Sequence, residues 1–145
     1  MKYAIACLAA LFVIGCGGSK DYVKKGEISR TLDQEAVQKK FIEAIGIGAA
    51  DQSLSNTTQK RATSRNAAIV AAQYEMLSMI KGVELEGGIR VEKAMETDSV
   101  LQTKIDAAIK GAEIVKSEWT NDDGCLVTLR LDKKRLQEMM GVKFK

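Results

Sequence analysis

The chain has 145 residues, 46% of them hydrophobic and 28% charged, with a formal net charge of +3 and neither proline nor histidine. That length makes one domain the prior, with a core of adequate size once non-structural ends are set aside. Lacking histidine, the chain lacks the usual proton shuttle and the commonest metal ligand, and its interspersed lysine, arginine and acidic residues give no basic stripe of the kind nucleic acid requires.

A short basic start, Met1-Lys2-Tyr3, leads into an uncharged run over 4–14 and then Gly15-Cys16. The run is roughly half of the ~20 residues a spanning helix needs, so 1–15 reads as a cleaved secretory signal. Val13-Ile14-Gly15-Cys16 is similar to the lipobox of bacterial lipoproteins. That likeness implies a diacylglycerol on the Cys16 sulfur, cleavage before it, and a palmitate-type acyl chain on the new amino group. The alternative is ordinary signal cleavage nearby, with Cys16 a plain thiol; the apolar run stops at that cysteine and Gly17-Gly18-Ser19 follows, which favours lipid. Each buried methylene contributes about 0.8 kcal/mol and two or more chains anchor stably, so such a protein stays on its membrane. Gly17, rather than an aspartate, follows the cysteine, and resemblance to lipoprotein sorting signals then implies the outer membrane.

Residues 16–38 read as the lipidated N-terminus and a polar tether, ending in a short helical turn around Leu32 to Val37. As a flexible coil it reaches on the order of 25 Å. The folded domain is expected over 39–145. Its first strand is Phe41-Ile42-Glu43-Ala44-Ile45-Gly46-Ile47-Gly48, with Phe41, Ile45 and Ile47 on the apolar face and Glu43 as the exception. Asp51 stands where a third glycine belongs in a nucleotide-binding Gly-x-Gly-x-x-Gly run, so Gly46 and Gly48 point to close backbone approach or a bulge instead.

Asn56 as N-cap, with Gln59 completing a capping box, opens a long helix, and Gly82 stands where a left-handed residue closes one. Ala68, Ile69, Ala72, Met76, Met79 and Ile80 form its buried stripe, which starts with small side chains so that a sheet can come close. Arg65 lies in line with that stripe and is expected to snorkel past the sheet edge or pair with a carboxylate. On the far side Val70, Tyr74 and Leu77 make a second apolar patch. Either the second helix of the same subunit covers it, or it is a contact between subunits.

Alternation over 83–91 reads as one long strand, because a two-residue hairpin at Gly87-Gly88 would set Leu85 against Arg90 and Glu86 against Ile89. Ser99 with Gln102 signals a second helix, carrying Leu101, Ile105, Ala108 and Ala112 and closed by Gly111. It is expected on the same sheet face as the first, or across its shoulder. A hairpin follows with Asp122-Asp123-Gly124 as its loop and Gly124 left-handed, placing Trp119 opposite Val127, Ser117 opposite Leu129 and Val115 opposite Leu131 on the dry face. Two turn carboxylates fall short of the six or more oxygens calcium takes. A short capped helix from Asp132 to Gly141, with Leu136, Met139 and Met140 on one side and Phe144 pinning the tail, ends the chain. Lys133-Lys134-Arg135 sit at the helix end that disfavours cations, and are read as solvated rather than as a site for an anionic partner. The fold class is therefore α+β: an antiparallel or mixed sheet of about four strands, packed by two main helices, with a short C-terminal helix.

Arg65-Asn66-Ala67-Ala68-Ile69-Val70-Ala71-Ala72-Gln73-Tyr74-Glu75-Met76-Leu77, followed by Ile80-Lys81-Gly82-Val83-Glu84-Leu85, resembles the core of FlgP-type flagellar lipoproteins and of the wider LPP-twenty family of small bacterial lipoproteins. The likeness extends from Gly46-Ile47-Gly48 through Ile109-Lys110-Gly111-Ala112 and Asp123-Gly124 to Leu131-Asp132. It implies a structural, outer-membrane-anchored lipoprotein of the periplasmic face, a homo-oligomer assembling around the flagellar motor with other motor proteins and needed for motility. An envelope or surface lipoprotein of the same family with a binding or antigenic role is the alternative, and a small ligand on the sheet is a third. Catalysis is not expected: Cys125 has no candidate base and Glu84 and Glu86 fall on a wet face. No metal or cofactor is expected beyond the lipid on Cys16. Cys7 leaves with the signal, so Cys125 is the domain's lone thiol, read as a buried small hydrophobe with an intermolecular bridge as the alternative.

Overall fold

The computed structural model describes residues 40–145. The expected signal over 1–15 with Cys7, the expected lipidation site Cys16 and the expected tether lie outside the described residues. Within them the order is β1 (Phe41–Gly48), α1 (Thr57–Gly82), α2 (Val91–Thr97), α3 (Ser99–Lys110), β2 (Glu113–Trp119), β3 (Cys125–Asp132) and α4 (Lys133–Met140). The class is α+β, with a three-stranded antiparallel sheet in the order β1-β3-β2. Helices α2 and α3 pack on α1, and α4 packs on α3 and β3, all sharing one hydrophobic core.

β1 has the expected bounds and the opposite face inward. Ile42, Ala44, Gly46 and Gly48 are buried, while Phe41 and Ile45 are half-exposed and Ile47 is 60% exposed. The smallest residues face the helix because α1 lies directly on the strand. A Cβ on Gly46 would overlap the Ala68 carbonyl oxygen and the Ala72 nitrogen, and one on Gly48 would overlap the Ser64 carbonyl oxygen. Close approach, the expectation for these glycines, is what they provide. Glu43, the exception on the outer face, meets Arg130 of β3 at 2.6 Å.

Along α1 the buried residues recur at every fourth position, Ser64, Ala68, Ala72, Met76 and Ile80, with Ile69 and Met79 half-buried beside them. Asn56 caps as expected, but its carboxamide oxygen accepts from Thr58 N at 2.8 Å, and the Gln59 arm of a capping box is not among the observed hydrogen bonds. Gly82 is not left-handed. The helix runs through it and ends where extended Val83 donates its N–H to Ile80 O, at 3.1 Å.

The single strand expected over 83–91 is instead a tight reversal. Leu85 N donates to Ile89 O and Val91 N to Val83 O, with Gly87 and Gly88 at φ +115° and +80°. A three-residue loop sets Val83 opposite Val91 and Leu85 opposite Ile89, so the odd-numbered apolar residues stay matched, which a two-residue loop forbids. This removes one strand from the expected four. The reversal delivers the chain into α2, which the sequence reading did not anticipate, and there Val91 and Met95 are buried.

α3 is capped one residue earlier than expected, by Asp98, whose carboxylate accepts from Val100 N and Leu101 N. Its buried face is Leu101, Ile105, Ala108 and Ile109; Ala112 lies past the end and is half-buried. Gly111 closes the helix as anticipated.

In the β2–β3 hairpin the pairing is Trp119 with Cys125 and Ser117 with Val127, and a bulge at Val115 brings Ile114 to Leu129. The loop therefore begins one residue earlier than expected, with Thr120 N bonded to Gly124 O and Asp123, not Gly124, at φ +62°. Gly124 is instead small for contact, since a Cβ there would come within 2.6 Å of Thr120 Oγ1. α4 matches expectation: Asp132 accepts from Arg135 N, Leu136 and Met140 are buried, and Gly141 closes the helix at φ +76°. Phe144 bridges to Leu85 and holds the tail, its N–H donating to Gln137 Oε1.

Candidate functional site

Among the described residues, an unpartnered apolar surface stands out rather than an enclosed cleft. The buried positions of α1 face β1 and β3, which leaves the back of the helix to solvent. Val70 is 65% exposed there and Tyr74 71%, while Leu77 is half-buried and packs against the core. Coverage of this patch by the second helix of the same subunit, one of the two expectations, fails for Val70 and Tyr74. α3 packs with α4 and α2 and with α1, leaving those two side chains bare.

A second bare surface was not anticipated. Trp119, Ser117 and Val115 were expected on a dry face, yet every residue of β2 is exposed. The reason is width. A helix is about 10–12 Å across and strands lie about 4.8 Å apart, so one helix covers about two strands. α1 rests on β1 and β3, and β2 is the strand left over.

Between these surfaces, at the N-terminal end of α1, lies a polar cluster that joins the hairpin loop to the helix. Ser64, fully buried, donates from Oγ to Asp123 O at 2.8 Å and to Arg61 O at 3.1 Å. Arg61 Nε reaches Asp123 Oδ1 at 2.8 Å, and its guanidinium stands 5.5 Å from the centre of the Trp119 ring. Gln52 Nε2 donates to Asp122 O. The Thr120 hydroxyl hydrogen-bonded to Asp122 holds that carboxyl below its ordinary range, and Ser53 does the same for Asp51. These contacts account for the acidic residues of the loop as turn chemistry, fixing Asp123 in its left-handed conformation.

Cys125 is free and fully buried, in keeping with its reading as a small hydrophobe. Burial pushes its thiol pKa up, against a smaller opposing influence from Arg65. The neutral thiol is a weak nucleophile. A groove of about 460 Å³ runs past Glu75, Met79, Val83 and Glu84, where Lys145 Nζ meets Glu84 Oε1 at 3.1 Å. Among the described residues, no group of three or more His, Cys, Asp or Glu could hold a metal ion, and no helix is long and apolar enough to cross a membrane.

No protein-family model matches this chain, and no curated protein matches it. Of the candidate site residues, Cys16 lies outside the described residues, Val70 and Tyr74 share one exposed surface, and Leu77 belongs largely to the core. The bare face of β2 escaped the sequence reading because the alternation of a strand reports which residues share a side, not whether anything lies on that side.

Proposed function

We propose that this chain is a structural lipoprotein, anchored through Cys16 in the outer membrane on its periplasmic face, whose domain assembles with copies of itself. The observation that carries the assembly is the outer stripe of α1, with Val70 and Tyr74 exposed on a helix whose other side is already filled. The anchor rests on the lipobox-like Val13-Ile14-Gly15-Cys16. The resemblance to FlgP-type proteins supports an assembly around the flagellar motor, in contact with motor proteins and needed for motility. The reading assigns the chain no catalytic role and no cofactor beyond the lipid. A histidine-free sequence and a buried, protonated thiol favour that assignment.

Two measurements test the parts separately. Metabolic labelling with a palmitate analogue is expected to mark the wild-type chain and not Cys16→Ser, and an unlabelled wild-type chain recovered in the soluble fraction defeats the anchor. Deletion of the gene is expected to abolish swimming while filaments remain, and normal swimming eliminates the motor role.

A second reading is favoured by the sheet face turned away from α1. There Ile47 is 60% exposed, and Phe41, Ile45 and Leu126 are half-exposed. An envelope lipoprotein of the same kind, with a binding or antigenic role, would use this face, and intact motility in the deletion strain is the result that selects it.

A further inference from the structure

The two bare surfaces described above fit each other. On β2 the side chains standing on the α1 side of the sheet are those paired with buried Cys125, Val127 and Leu129, namely Trp119, Ser117 and Ile114. Trp119 is 41% exposed and Ile114 39%. The charges of β2 turn the other way: Lys116 and Glu118, opposite Thr128 and Leu126, pair with each other at 2.6 Å. The shelf beside α1 is thus one strand wide and apolar, with the Arg61 guanidinium, already paired with Asp123, standing over the Trp119 ring at its end. The back of α1 has the same character. Along Thr63, Ala67, Val70, Tyr74 and Ser78 the helix presents four turns without a charge, and between 63 and 78 the charges are Arg65 and Glu75, both off that line.

We propose that two copies of the domain pair about a twofold axis, with the back of α1 at Val70 and Tyr74 of each copy seated on the bare face of β2, at Ile114 and Trp119, of the other. Turning one copy over places its helix in the slot above β2, alongside the first helix. Two sheets then enclose two helices, and each sheet gains the second helix its width leaves room for. The occupant is a second copy of this chain because the chain itself carries both complementary halves, so a twofold axis makes every contact twice. The charge beside Trp119, that of Arg61, is already paired with Asp123, so the contact does not strand it without a partner. This inference rests on the self-assembly in the proposed function and is independent of the anchor at Cys16.

The test uses the full mature chain, with Tyr74→Cys and Ser117→Cys variants carrying different tags and produced in the same cell. Mild oxidation is expected to give a disulfide joining the Tyr74→Cys copy to the Ser117→Cys copy, with little cross-linking when either variant is produced alone. Self-linking of Tyr74→Cys would mean helix backs meet each other, and self-linking of Ser117→Cys would mean β2 edges meet; either overturns the pairing while leaving assembly intact. An oligomer with no cross-link in any combination overturns it in the same way. A monomer at high concentration in sedimentation overturns both the pairing and the assembly. As an independent readout, Tyr74→Glu and Trp119→Glu, each checked for native circular dichroism, are both expected to weaken association roughly tenfold or more. Association unchanged by either variant refutes the proposal.

Discussion

The two halves of α1 are held to the rest of the molecule by different means. In the N-terminal half the contact is backbone on backbone: Ser64, Ala68 and Ala72 lie against Gly46 and Gly48, with no room for one more carbon. In the C-terminal half Met76 and Ile80 enter a cluster with Leu85, Val91, Ile105 and Leu136, where larger side chains fill the space. A glycine–alanine contact has no rotamers to adjust, whereas a cluster of long aliphatic side chains relaxes around a change. The first sets how closely helix and sheet approach, and the second is filled by larger apolar side chains.

This contrast can be broken at its strictest point first. Gly46→Val pushes three carbons into the Ala68 and Ala72 backbone, so it is expected to exceed the ~1–3 kcal/mol of ordinary overpacking and to leave no cooperative thermal transition. A variant that melts like the wild type would show that the helix can lift off the strand. Met76→Ala, in the other half, is expected to cost about 2–5 kcal/mol and still unfold cooperatively in urea, because the cluster partly collapses around the cavity.

Smaller changes sharpen the picture at the helix start. Ser64→Ala removes the hydroxyl that reaches Asp123 O and is expected to cost about 1–3 kcal/mol, with the largest rise in amide exchange at residues 120–124. Arg61→Ala removes a half-exposed ion pair to the same loop and is expected to cost only about 0.2–1 kcal/mol. Added salt should shrink that difference further. If Arg61→Ala proved costlier than Ser64→Ala, the loop would be held by charge rather than by the buried hydroxyl.

Legibility in the sequence followed the range of the forces involved. Helix α4 is legible from Asp132 to Gly141 because its cap and its apolar side act within one or two turns. The α1 stripe at every fourth residue and the small residues of β1 were visible for the same reason. The polarity of β1 was not, because Phe41, Ile45 and Ile47 look like a core face until a helix is known to lie on the glycines. At 83–91 the alternating pattern was read correctly and the path was not, since a three-residue loop keeps the parity of a continuous strand. The hairpin register slipped for a related reason: Asp123 takes the left-handed position that glycine would normally claim, while Gly124 stands against the Thr120 hydroxyl of the same hairpin.

Taken alone, the sequence determined the α+β class, the existence and approximate extent of α1, α3, α4 and the hairpin, the burial of Cys125, and the apolar back of α1. These are set by side-chain periodicity and by capping groups that act on their own neighbours. Tertiary structure alone decided which face of β1 turns inward, that α1 covers two strands of three, and that Val70, Tyr74 and the whole of β2 stay exposed. Each of those depends on where one element comes to rest on another, and that is fixed by the volume between them rather than by the pattern along either one.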